Sequence, residues 1–120
     1  MCKILIIDDE KITLQLVEEV LTKYGHNVET ADSGNRGLHM FERNNYDMII
    51  TDINMPDING FKVAQFIRRS DKCNMPIVCI TGELDITQNE LFNFVIKKPF
   101  FIEEVIDAIE NIIEKERLSA

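Results

Sequence analysis

Five polar residues sit where apolar runs end, and their types define the chemistry this chain offers. Asp8 and Asp9 follow Ile4-Leu5-Ile6-Ile7, and Asp52 follows Met48-Ile49-Ile50-Thr51. Thr81 closes Ile77-Val78-Cys79-Ile80, and Lys98 follows Phe94-Val95-Ile96 by one residue. Carboxylates gathered in one place repel one another and raise at least one pKa unless a cation intervenes. The ligands on offer are oxygens, with no His or Cys beside them, which favours a hard ion such as Mg²⁺ that keeps several waters and leaves room for a phosphate oxygen. An Asp carboxylate in such a site can attack phosphorus and form an acyl phosphate. Transfer of that kind is governed by positioning and charge. Lys98 supplies a fixed positive charge and Thr81 a hydroxyl donor for the phosphoryl oxygens.

Taken singly, each residue has a plainer reading. Asp8-Asp9-Glu10 fits an N-cap with an acidic first turn. Asp52 fits an Asx-turn, Thr81 before Gly82 a strand end, and Lys98-Pro99 a turn. The joint placement favours the chemical reading, because no structural pressure sets acids, a hydroxyl and a lysine at the ends of successive apolar runs.

Those runs are the elements that must hold the site. Ile4–Ile7 reads as a parallel strand buried on both faces. Lys11–Tyr24 reads as a helix with Ile12, Leu16, Val17, Val20, Leu21 and Tyr24 on one side and Leu14 at its margin. Gly25 is placed to end it. A strand over Asn27–Ala31 follows, and Ser33 can cap a helix over 34–44 that Gly34 and Gly37 weaken. Met48–Thr51 is the third strand, and 52–60 a loop with Pro56 and Gly60 as turn residues. The helix over 61–70 presents Phe61, Ala64 and either Phe66 or Ile67 inward. Ile77–Ile80 and Phe94–Ile96 are the remaining strands. The last helix shows Ile102, Val105, Ile106, Ile109, Ile112 and Ile113 at helical spacing.

Strand and helix in alternation mean an α/β chain with helices on both faces of a parallel sheet. The flavodoxin-like (βα)5 doubly wound order 2-1-3-4-5 is expected, with ligands beyond the carboxyl ends of strands 1 and 3.

The chain's 120 residues make one domain, spanning 1–120. No apolar run approaches the roughly 20 residues that span a bilayer, and Asp8-Asp9-Glu10 ends the first apolar stretch too early for an export signal. We therefore expect no membrane insertion. The three cysteines, Cys2, Cys73 and Cys79, form no CxxC pair, which fits free thiols in a reducing cytoplasm. A net charge of −8 argues against nucleic acid as a direct partner. His26 and His39 read as surface residues. Phe61, Phe66, Phe92, Phe100 and Phe101 read as core or helix-edge packing.

The whole chain resembles a response-regulator receiver domain of the two-component systems, close in plan to the single-domain chemotaxis regulators. The matching text is Ile-Leu-Ile-Ile-Asp-Asp-Glu (4–10), Thr-Asp-Ile-Asn-Met-Pro-Asp-Ile-Asn-Gly (51–60), Cys-Ile-Thr-Gly (79–82) and Lys-Pro-Phe (98–100). By that resemblance Asp52 is the phosphoacceptor. Asp9 is a direct Mg²⁺ ligand, Asp8 acts on the metal through water, and the backbone carbonyl of Asn54 completes the protein's share. Lys98 pairs with Asp52 and then with the phosphoryl group, aimed by a cis bond to Pro99, and Thr81 is the switch hydroxyl. Asn54 and Glu83 tune hydrolysis. The resemblance implies a sensor histidine kinase or a histidine phosphotransfer protein as donor. It implies no output domain, an unknown downstream protein as target, and a monomer or phosphorylation-dependent dimer. It also implies no enzymatic turnover beyond the chain's own phosphorylation and dephosphorylation.

Two departures stand out. The family's aromatic switch residue, three positions before the lysine, is Val95 here, with Phe94 one residue earlier. Side chains in a strand alternate, so either a bulge restores Phe94 to the switch position or the coupling to Thr81 is altered; we favour the second. Between Thr81 and Phe94 lie 12 residues, 82 to 93, close to the minimum for a parallel crossover. The fourth helix should be short or irregular. These departures motivate an alternative, a constitutive interaction module, against which the intact Asp, Thr and Lys set argues. A phosphatase of the haloacid-dehalogenase type would want a second acid where Asn54 stands. A nucleotide or flavin protein would want a phosphate-cradling loop where Asp8-Asp9-Glu10 stands.

Overall fold

A computed structural model describes residues 2–82 and 90–119. The elements in chain order are β1 (Lys3–Ile7), α1 (Lys11–Lys23), β2 (Asn27–Ala31), α2 (Gly34–Arg43), β3 (Met48–Thr51), α3 (Gly60–Arg69), β4 (Ile77–Thr81), β5 (Phe94–Lys97) and α4 (Ile102–Ser119). All strand pairs are parallel, and the sheet order is β2-β1-β3-β4-β5. The short or irregular fourth crossover helix falls on residues 83–89, outside the described residues.

Alternation along the strands sorts the core into two layers. Leu5, Ile7, Ile49, Ile77 and Cys79 face α2 and α3, where Phe41, Val63, Ala64 and Ile67 cover them. Ile4, Ile6, Met48, Ile50, Val78 and Ile80 face α1 and α4, covered by Leu14, Val17, Leu21, Val105 and Ile109. The buried face of α1 is therefore Leu14, Val17 and Leu21: Val17 and Leu21 belong to the side marked by helical spacing, and Leu14, at its margin, joins them. Ile12 is 82% exposed, and Leu16 and Tyr24 are exposed too. Two packing surfaces, the sheet and α4, pull the helix towards Leu14. On α3 it is Ile67 that turns inward, and Phe66 stays exposed.

Local signals explain the helix ends. His26 N–H donates to Leu21 O and Gly25 N–H to Thr22 O, a Schellman closure of α1. It needs the left-handed φ of +91° at Gly25. Ser33 and Asn59 cap α2 and α3 by accepting from Arg36 N–H and Lys62 N–H. At the opposite end of the sheet from the aspartates, Arg68 of α3 gathers carbonyls. It donates to Cys73 O (2.9 Å), Met75 O (2.5 Å) and Leu91 O (2.8 Å). The guanidinium also reaches Asn93 Oδ1, which accepts the Ile77 N–H. His26 is more than a surface residue: it is half-buried, and its Nδ1 accepts the Cys2 N–H.

Candidate functional site

Parallel pairing brings the carboxyl ends of β1, β3, β4 and β5 to one edge. Asp52 N–H donates to Ile7 O and Lys98 N–H to Thr81 O, so the ladder carries both residues just past their strands. Asp8 and Asp52 are buried, at 2% and 6% exposure, and Thr81 is fully buried. The Lys98 ammonium lies among three carboxylates: 3.1 Å from Asp8 Oδ2, 3.3 Å from Asp52 Oδ2 and 2.5 Å from Glu10 Oε1. The Lys98–Pro99 bond is cis.

The backbone holds the two buried acids in fixed poses. Asp8 Oδ1 accepts the Glu10 N–H at 2.9 Å, and Asp52 Oδ1 accepts the Ile53 N–H at 2.7 Å. The loop after Asp52 is pinned twice. Gly60 N–H donates to Ile53 O at 2.8 Å, and the Asp57 carboxylate accepts from Gly34 N–H and Asn35 N–H at the start of α2. Gly60 passes so close that a Cβ there would overlap the Asp52 carbonyl oxygen and lie 2.9 Å from Ile53 Cα. A side chain has no room at that position.

Burial and charge act against each other here. Burial raises the Asp8 carboxyl to about 6, with the Asp52 charge adding and the Glu10 N–H and Lys98 opposing. Burial alone would lower the Lys98 ammonium, but the Glu10 and Asp8 carboxylates, with the Asp52 charge, hold it above its ordinary value. Lys98 is thus a fixed cation at any ordinary pH.

Oxygens of Asp8, Glu10 and Asp52 lie within 4.8 Å of one another, which suits a hard divalent cation. Asp9, the direct ligand by resemblance, is exposed and outside that group. Glu10 takes part although it reads from sequence as a first-turn acid. No sequence signal marked it: Glu10 has extended angles (φ −88°, ψ 109°), and only with such angles does a residue two on from Asp8 return to the same side. Asn54 is exposed in the loop after Asp52, and Glu83 lies outside the described residues. Val95 packs in the same layer as Cys79, and Phe94 packs in the opposite one. The β4–β5 pairing runs from Val78↔Phe94 to Thr81↔Lys97 without a bulge.

The arrangement joins a buried, backbone-held carboxylate, an adjacent fixed cation and an acidic ion site open to solvent at Glu10. Comparison with known proteins agrees. The sequence profile of the response regulator receiver domain family matches residues 4–110. The cell cycle transcriptional regulator CtrA of Caulobacter vibrioides is 32% identical over 120 residues, covering 96% of this chain and 52% of that protein. The response regulator ArlR of Staphylococcus aureus is 34% identical over 122 residues, covering 97% of this chain and 54% of that protein. The chain spans about half the length of these relatives. Among solved structures, a receiver domain protein from Clostridium thermocellum superposes with a TM-score of 0.89 at 31% identity, covering all of both chains. The response regulator TrrA of Thermotoga maritima, in complex with Mg²⁺ and BeF, gives a TM-score of 0.85 at 31% identity, over 92% of this chain and 98% of that one.

Proposed function

The chain belongs to the response regulator receiver domain family, and on that premise we propose that it is a switch in which Asp52 accepts a phosphoryl group from a phosphohistidine donor. A sensor kinase or a phosphotransfer protein carries that donor. The observation that supports this most directly is Lys98, whose one ammonium neutralises Asp8 and Asp52 together from the end of β5.

Asp8, Glu10 and Asp52, with the Asn54 carbonyl and Asp9 nearby in sequence, are the residues that would hold Mg²⁺, which when bound would screen the acids and the phosphoryl oxygens. The chain's own groups do the rest. Asp52 Oδ1 is held by the Ile53 N–H, which leaves Oδ2 to attack phosphorus. The new O–P bond forms as the P–N bond breaks, and the electron pair leaves on the imidazole nitrogen. Lys98 trades its carboxylate contacts for the incoming phosphoryl oxygens, and the Thr81 hydroxyl moves to donate to another. Positioning and electrostatics of this kind account for most of the catalysis in phosphoryl transfer. Water later attacks the acyl phosphate and restores Asp52.

Displacement of Thr81 biases a two-state surface. With Val95 where an aromatic ring would respond, that signal runs through aliphatic packing beside Cys79. The downstream partner is a protein that reads this change. None of the helices among the described residues is long and apolar enough to cross a membrane.

The test is incubation with Mg²⁺ and a small phosphodonor, read by intact mass. One phosphoryl adduct is expected, absent in Asp52→Asn and without Mg²⁺. An adduct that persists in Asp52→Asn would overturn the assignment. Absence of any adduct would favour a constitutive interaction module.

A further inference from the structure

The outer face of α3 carries Lys62, Gln65, Phe66 and Arg69, all exposed and spaced i, i+3, i+4, i+7. That spacing lines them along one side of the helix, a cation a turn away on each side of an aromatic ring. They border a groove of about 400 Å³, and Phe66 also borders a second, of about 310 Å³, lined by Phe41, Glu42, Asp71 and Lys72. The stretch of chain around this face is basic, against the charge of the whole. Over α2, α3 and residues 70–75, six cations (Arg36, Arg43, Lys62, Arg68, Arg69, Lys72) stand against Glu42 and Asp71. The local excess is +4 in a chain of −8, so the remainder carries −12.

The fold accounts for this pattern only in part. Arg43, Arg68 and Arg69 lie in last helical turns, where the dipole favours cations, and Arg68 is consumed in binding carbonyls. Lys62 lies in the first turn of α3, where the dipole disfavours a cation and no acidic residue relieves it. Among the described residues neither Lys62 nor Arg69 has an ion-pair partner, and Phe66 is 41% exposed between them.

We propose that this face of α3 docks an acidic amphipathic helix of a partner protein. Lys62 and Arg69 are seven positions apart, about 10.5 Å along a helix. Carboxylates at i and i+7 of a partner helix have the same separation, and an apolar side chain at i+3 or i+4 then falls on Phe66. A long polyanion fits poorly, because it would run over the −12 remainder within a Debye length of about 8–10 Å. A helix of two or three turns stays within the basic patch.

The face shares no residue with the phosphoryl site and does not rest on the phosphoryl reading, so the test uses the unphosphorylated full chain. A helix-display library, randomised at four positions of one face, is panned on this chain and counter-selected on the Lys62→Glu/Arg69→Glu double variant. Enriched helices should place Asp or Glu seven residues apart around an apolar centre. Their binding should weaken at least about tenfold in Phe66→Ala, and again when salt rises from about 0.05 to 0.3 M. Thermal unfolding of the variants should match the parent chain, as expected for surface changes. Recovery of no binder, of binders lacking the acidic pair, or of binders indifferent to the variants would overturn the proposal. Displacement of the binders by an equal concentration of oligonucleotide would overturn it in favour of a phosphate surface. Binders that match α4 of this chain, together with salt-sensitive self-association, would overturn it in favour of a second copy.

Discussion

Replacing Gly60 by alanine should disturb both the fold and the placing of Asp52, since one close approach serves both. A Cβ at Gly60 would overlap the Asp52 carbonyl oxygen and lie 2.9 Å from Ile53 Cα and 3.0 Å from Asp52 C. All three neighbours are main-chain atoms, so no rotamer change relieves the crowding, and the loop itself must move. Overpacking of this kind costs about 1–3 kcal/mol, occasionally more. Alanine's better helix propensity recovers well under 1 kcal/mol, because Gly60 is the first helical residue rather than an interior one. A net loss of about 2–3 kcal/mol is expected. At about 2.1 cal/mol/K per residue, a chain of 120 residues loses about 4 °C of Tm per kcal/mol, which makes the drop about 8–12 °C. Gly82→Ala is the control: nothing described lies within 4 Å of a Cβ there, and its φ is not left-handed. It should stay within about 2 °C, as an ordinary surface change does. Thermal unfolding by circular dichroism reads the stability of both variants. Phosphoryl uptake from a small phosphodonor with Mg²⁺ reads the displacement of Asp52, and should slow in Gly60→Ala alone. A Gly60→Ala chain melting within about 2 °C of the parent would refute the steric argument. A destabilised chain that takes up phosphoryl groups at the parental rate would refute the link to Asp52.

Three further outcomes follow from the same geometry. Lys98→Met leaves Asp8 and Asp52 buried without their cation, which for buried charges costs about 3–5 kcal/mol. The folded Asp8 carboxyl is raised to about 6 from an ordinary 3.8, so the folded chain holds this proton more tightly than the unfolded one and gains stability as pH falls from 7 towards 4. Urea unfolding should show the variant's deficit narrowing between pH 7.5 and 5, and a constant deficit would count against the arrangement. Burial, with the N-terminal charge adding and Glu110 opposing, lowers the His26 imidazole. Its contribution is complete above the unfolded value of 6.5 and lost as pH falls below that through the lowered folded value. His26→Gln should flatten that part of the pH–stability curve, measured as urea midpoints from pH 7.5 to 5. Burial and the Asp52 charge push the Cys79 thiol up to about 12, whereas Cys73 is exposed. Alkylation of the native chain should mark Cys73 by peptide mapping and reach Cys79 only in denaturant.

Most of the sheet and its order could be read from the sequence, since each apolar run is short and β-rich and ends at a turn residue or an acid. Helix faces were harder. Ile12, Leu16 and Tyr24 complete an apolar arc on α1, yet the arc that packs leaves them out and takes in Leu14 at its margin, because α1 touches α4 as well as the sheet. Gly34 and Gly37 weaken a helix by propensity but permit this one: a Cβ at Gly37 would lie 2.7 Å from Ile7 Cγ1, so the small residue lets α2 sit down on β1. In the site, residues marking strand ends were legible because chain ends of parallel strands must converge. Glu10 was not, since an acid after Asp-Asp has a sufficient reason in the helix dipole. Only its backbone angles return it to the Lys98 side.

Arg68 has a mechanical consequence for the far end of the molecule. By holding the carbonyls of Cys73, Met75 and Leu91 at once, a single guanidinium rivets the beginnings of β4 and β5 to the tail of α3. Strands fastened at one end cannot slip past one another. A tilt of these strands would then pivot on that rivet, with its amplitude growing along them towards Thr81 and Lys98.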